Sequence, residues 1–195
     1  MSIIYKPWIG KNYGKSDYGK LLIIGDSHYF LNDEDESVFP NFTIDIVSEL
    51  EDKNFNFYRK IGNIFNTDKN TEIWDNVAFA NAIQTPFRSS DQIPTDVDFK
   101  TVEPAILSYL NIVQPTRMIV FSQRVWENGL PTDISWGEFV ETLSTNNKSA
   151  TVWKFNYDNG VCFGLGVHHP SYMKFKSDEW KPIIDLFLTK DYQES

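Results

Sequence analysis

Leu21-Leu22-Ile23-Ile24-Gly25-Asp26-Ser27-His28-Tyr29 is the stretch on which the fold turns. Four consecutive large aliphatics, entered through Gly19-Lys20 and closed by Gly25, suit a strand covered on both faces, because no side of its pleat needs to meet water. Residues just past the carboxyl end of such a strand lie where open α/β sheets place their ligands. Asp26, Ser27, His28 and Tyr29 are therefore the first candidates for chemistry. The plain alternative is a strand-to-loop turn with capping side chains.

Before this strand, residues 1–19 form an aromatic lead-in with Trp8, Tyr13 and Tyr18, expected to cover one edge of a sheet. After it, residues 30–42 read as an acidic loop closing in Phe39-Pro40-Asn41-Phe42, long enough to be functional. Ile44, Val47 and Leu50 then recur at spacing three, predicting a helix with Thr43 as its cap. A second helical segment is expected at 55–65. A second strand is expected at 77–80, ending in Asn81, an amide that can both donate and accept.

Residues 84–98, rich in Pro, Ser and Asp, read as a surface loop. Val102, Ile106, Leu110 and Val113 share a face of a helix over 99–113, with Pro104 tolerated near its first turn. Met118-Ile119-Val120-Phe121 is a third buried strand, leading into Ser122-Gln123-Arg124 and a short helix from Val125. Another helical turn is expected at 138–143. Residues 151–155 and 161–167 read as a strand pair joined through Asn159-Gly160, a hairpin signal. Residues 178–189 close the chain as an amphipathic helix with Trp180, Ile183, Ile184 and Phe187 inward. Strands that alternate with helices predict a single α/β domain over 1–195: three layers, α/β/α, around a mainly parallel sheet of four to five strands.

The composition narrows the classes. No apolar run approaches the roughly 20 residues that span a bilayer, and the first eight residues lack the pattern of a signal peptide, so a soluble, cytoplasmic protein without membrane contact is expected. One cysteine, Cys162, excludes an intrachain disulfide framework and any four-cysteine zinc or iron-sulfur site. Its neighbours Val161 and Phe163 predict a buried core thiol. No metal and no cofactor are expected.

The net charge of −9 argues against a protein that coats nucleic acid indiscriminately. Its distribution matters more. Nine of the 27 acids fall in residues 21–52, where there is no Lys or Arg, and the remaining acids are matched by all 18 bases. A narrow nucleic-acid footprint is compatible with that arrangement.

The chain has three histidines, and all of them, His28, His168 and His169, fall just after predicted strands. Nothing in folding requires this clustering, so it points to a site. If the first and last strands are neighbours, Asp26 and His169 face one pocket.

On these residues a resemblance rests. Gly25-Asp26-Ser27-His28-Tyr29 after the first strand, Asn81 after the second and His169-Pro170-Ser171 after the last are similar to the motifs of the uracil-DNA glycosylase superfamily, in the same order and across nearly the whole chain. Ser122-Gln123-Arg124 sits where members have a short polar loop. The chain departs from the best-known branch, which has Asp and Pro where Ser27 and His28 stand and a second Pro where Tyr172 stands. Asp26 matches the acidic second position of another branch, whose iron-sulfur cluster a one-cysteine chain cannot hold.

The resemblance implies a monomeric DNA glycosylase acting on a base flipped out of the helix. The base would be uracil-like damage or, given the altered first motif and the acidic loop, a hypermodified base of foreign DNA. Cleavage of an N-glycosidic bond builds positive charge on the sugar and negative charge on the base. Asp26 would stabilise the first or orient water, and His169 would donate to the second. Asn81 would read a base edge, and Tyr29 or Phe42 would stack on the base. Ser27, His28 and His168 complete the expected substrate site. Ser122, Gln123, Arg124, Ser171, Tyr172, Lys174 and Lys176 are the expected DNA contacts.

Two rivals remain. Gly25-Asp26-Ser27 is also similar to the serine block of GDSL-type esterases, but these need an acid three positions before the histidine. Leu165 and Gly166 stand there. A catalytically silent module that binds modified DNA or a partner is the other.

Overall fold

A computed structural model describes residues 3–29, 40–50, 53, 55–65, 72–89, 91–130 and 136–192. The acidic stretch 30–39 falls outside the described residues. Seven strands form one sheet: β1 (Trp8–Ile9), β2 (Leu21–Gly25), β3 (Ala78–Asn81), β4 (Arg117–Phe121), β5 (Gly137–Ser144), β6 (Ser149–Tyr157) and β7 (Gly160–Val167). Their order across the sheet is β1-β3-β2-β4-β7-β6-β5. The four inner strands β3, β2, β4 and β7 are parallel, while β1 and the β6/β5 pair are antiparallel additions at the two edges.

The helices are α1 (Phe42–Ser48), α2 (Asn56–Ile64), α3 (Glu72–Asn76), α4 (Asp96–Phe99), α5 (Val102–Val113), α6 (Gln123–Gly129) and α7 (Ser177–Thr189). Alternation along the strands sorts them into two layers. Leu21, Ile23, Phe79, Ile119, Phe121, Leu165 and Val167 pack under α1, α2, α3 and α7. Leu22, Ile24, Ala78, Ala80, Met118 and Val120 pack under α5 and α6. The aliphatics of β2 are fully buried, contributing at most roughly 6–12 kcal/mol between them at about 1.5–3 kcal/mol each. Cys162 is buried, as its apolar neighbours imply.

Three expectations change. The sheet has seven strands rather than four or five, because the lead-in contributes β1 at the edge and residues 137–144 form β5. The helical turn expected at 138–143 is thus a strand, edge-paired to β6, with Phe139 and Val140 exposed. Thr43 does not cap α1: the cap position is Asn41, and Thr43 is buried one residue inside the helix, with its hydroxyl on a side chain of the first motif.

The strand order decides where the site lies. From β2 the chain crosses to β3 on one side, and β4 joins β2 on the other, so the order reverses beside β2. Loops at such a reversal splay apart and leave a crevice beyond the carboxyl ends.

Candidate active site

Two adjoining cavities occupy that crevice. The first, about 290 Å³, is lined by Asp26, Ser27, His28, Tyr29, Asn81, His169 and Ser171 and walled by Phe42, Ile46, Phe55, Asn56, Phe57 and Tyr58. The second, about 590 Å³ and more open, is lined by Asp26, Tyr29, Ser122, Gln123, Arg124, His168, His169, Ser171 and Tyr172. Asp26, Tyr29, His169 and Ser171 belong to both. They mark the passage from an aromatic chamber to a polar groove.

β2 and β7 are not neighbours, since β4 lies between them. Asp26 and His169 nevertheless line the same two cavities. Asp26 is 3% exposed. Its Oδ2 accepts from Ser122 Oγ at 2.8 Å and from Arg124 Nε at 2.6 Å. Among the described residues its buried Oδ1 has no partner, and neither has the buried Ser27 hydroxyl. Leaving a buried polar atom unpaired costs about 1–3 kcal/mol. Two such atoms lining one chamber are what a site built for a polar ligand retains.

His169 is fixed from three directions. Its Nδ1 accepts the Ser171 backbone N–H at 3.1 Å, which leaves Nε2 to carry the proton of the neutral ring. Its ring lies against Phe57, centroids 5.2 Å apart. Lys60 Nζ on α2 donates to the Pro170 carbonyl at 2.6 Å and ties down the loop. Burial holds the His169 imidazole below its ordinary value; the Asp26 carboxylate opposes that, and the Arg124 and Lys60 cations add to it.

His28 lies at the back of the first cavity. Its ring makes edge contacts with Tyr5, 4.5 Å away, and with Phe42, 4.9 Å away. Nε2 meets Thr43 Oγ1 at 2.9 Å, and Asn81 Nδ2 approaches Nδ1 at 3.2 Å. Burial pushes its pKa down to about 3, so the ring is neutral.

The remaining expected residues divide. Tyr29 spans both cavities, its ring 6.3 Å from Phe87. His168 lines the open groove and not the chamber, packed on Tyr172 and Trp180. Ser122 is fully buried beneath Asp26 and serves the carboxylate. Gln123 Nε2 is bonded to Glu127. Lys174 and Lys176 line neither cavity, and Lys176 pairs with Glu179 at 2.9 Å. Among the described residues no group of three or more His, Cys, Asp or Glu could hold a metal ion, and no helix is long and apolar enough to cross a membrane.

Sequence reasoning missed the α2 wall, Thr43 and Lys60. The run Phe55-Asn56-Phe57-Tyr58 carried a signal: three aromatics in four residues exceed what a helix needs to bury one stripe. Met173, 97% exposed beside Tyr172, also went unremarked.

No family model matches the chain, and no curated protein is significantly similar to it.

Proposed function

We propose that the protein is a DNA glycosylase that hydrolyses the N-glycosidic bond of a flipped-out base, uracil-like damage or a hypermodified base of foreign DNA. The observation that carries this reading is the placement of Asp26 and His169 together at the passage between an aromatic chamber and a polar groove. A nucleotide drawn out of a duplex needs that division: a dry, ring-lined space for the base and a polar track for the backbone.

In the reading, the base enters the chamber among Phe42, Phe57 and Tyr58, and Asn81 meets its edge. The sugar sits at the passage. There the unpartnered Asp26 Oδ1 faces the developing positive charge or holds the attacking water, while Oδ2 is kept in place by Ser122 and Arg124. His169 offers its Nε2–H to the departing base anion, and as a neutral donor it needs no proton from solvent. Arg124, Ser171 and Tyr172 face the strand, with Met173 exposed where an apolar wedge could fill the gap left in the stack.

The esterase alternative loses its footing here. Among the described residues Ser27 Oγ has no hydrogen-bond partner, so none of them is set as a base to activate it. The test is incubation of purified protein with duplexes carrying uracil, oxidised, alkylated, hydroxymethylated and glucosylated bases, scored for alkali-sensitive abasic sites. Release of one of them supports the reading, and silence on all of them ends it.

A further inference from the structure

The turn that carries His169 leaves one peptide unit outside its closing bond, and two side chains take that unit up. Tyr172 N–H donates to the His169 carbonyl at 2.9 Å, closing a four-residue turn with Pro170 in second position, where its fixed φ suits the bend. The peptide between Pro170 and Ser171 lies at the centre of that turn, so neither its C=O nor its N–H enters the closing bond. Its carbonyl accepts from Lys60 Nζ at 2.6 Å. Its N–H donates to His169 Nδ1 at 3.1 Å. An ammonium group and an imidazole nitrogen are thus joined through a single peptide. Lys60 comes from α2, and Phe57, three residues earlier on the same helix, lies against the His169 ring.

A cation on a peptide carbonyl makes the N–H of that peptide a better donor, since hydrogen bonds in a chain polarise one another. The N–H so strengthened is the one at Nδ1. A neutral imidazole has one N–H and one lone pair, so the nitrogen that accepts carries the lone pair and the proton resides on Nε2. Lys60 lines neither cavity, so it acts through the turn and not on a ligand. We propose that Lys60 is a positioning residue for base release: through the Pro170–Ser171 peptide it holds His169 in the Nε2–H tautomer and fixes the ring at the passage between chamber and groove. This inference rests on the glycosylase reading, in which that N–H meets the departing base.

The test compares wild type, Lys60→Met and Lys60→Arg on whichever duplex of the uracil, oxidised, alkylated, hydroxymethylated and glucosylated set wild type processes. Lys60→Met should lose about 10- to 100-fold in kcat, the scale of a misplaced catalytic group, with KM within about threefold of wild type. Lys60→Arg, which keeps a cationic donor, should recover most of that loss. Lys60→Gln replaces Lys60→Met in the same comparison if the latter does not fold. Imidazole 15N spectra, read without DNA at pH 8, should place the wild-type His169 proton on Nε2. Asp26 from the loop after β2, Arg124 from α6 and Lys60 from α2 act on this ring, the carboxylate favouring its protonation and the two cations opposing it. Removing one cation should therefore move the His169 protonation midpoint to higher pH in Lys60→Met and not in Lys60→Arg. Four results overturn the inference while leaving the glycosylase reading intact: a wild-type proton on Nδ1, wild-type kcat in Lys60→Met, equal losses in Lys60→Met and Lys60→Arg, or a loss confined to KM, as for a phosphate contact. No base release from wild type on any duplex overturns both.

Discussion

Arg124 Nε donates to Asp26 Oδ2 across 2.6 Å, joining residues 98 positions apart at the place where the strand order of the sheet reverses. Ser122 Oγ donates to the same oxygen. One oxygen of the carboxylate is thereby held by the protein and the other is buried with no partner among the described residues, the arrangement expected of a group whose second oxygen serves a ligand.

Asp26→Asn tests that role with little change in volume. Base release should fall by at least about 10²-fold, the scale on which single electrostatic groups act in active sites, while the thermal unfolding midpoint moves by only a few degrees. Single-turnover release and a melting curve on the same preparation decide it. A variant that turns over at the wild-type rate removes Asp26 from the mechanism.

Arg124→Gln leaves the Asp26 carboxylate buried without its cation. Arg124 is itself 37% exposed, so solvent screens part of the interaction, and the expected cost is roughly 1–2 kcal/mol. For a chain of this size that lowers Tm by about 2–8 °C. If the same guanidinium also meets a backbone phosphate, the slope of log affinity against log salt should become shallower by about 1. An unaltered Tm contradicts the structural part, and an unaltered slope the DNA contact.

Much of this was legible in the chain. The apolar runs of β2 and β4 need cover on both faces and announce a parallel core, and the polar residues after Gly25, Ala80 and Val167 announce a site at one end of it. The parts that were not legible depend on contacts between distant segments. Nothing local in Gly137–Ser144 says strand: its pairing with β6 supplies that, and its outward residues, Phe139 and Val140 among them, obscure the alternation. Thr43 looks like a cap because capping is the commonest local use of a threonine before a helix. Only the approach of His28, 15 positions earlier, turns its hydroxyl inward. Lys60 could not be read at all, since its partner is a backbone carbonyl 110 positions away.

His169 makes a prediction about pH as well as rate. With Nδ1 occupied by the Ser171 N–H and burial disfavouring the charged ring, the group works as a neutral Nε2–H donor. Base release at saturating DNA should therefore show no loss attributable to this group between about pH 6.5 and 8.5. A mechanism that required an imidazolium would lose about tenfold per unit over that range. His169→Ala should cost about 10²–10³ in rate, and His169→Gln, which restores an N–H, should recover part of it.

His28 couples the chamber to acid stability. Its ordinary pKa of 6.5 is pushed to about 3 by burial in the fold. Below pH 6.5 the unfolded chain takes up a proton that the folded chain refuses, so the unfolded state is favoured. The contribution of a neutral His28 is therefore fully present above pH 6.5 and drains away as the pH falls toward 3, at up to about 1.4 kcal/mol per unit. Urea unfolding at pH 7, 5.5 and 4 should show wild type losing stability faster than His28→Gln, by close to one proton in the slope of unfolding free energy against pH. Carboxylates that titrate over the same range act equally on both proteins and cancel in the difference. Parallel slopes would mean that the ring takes up its proton in the folded state as easily as in the unfolded one, and that the cage of Tyr5, Phe42 and Thr43 does not keep it neutral.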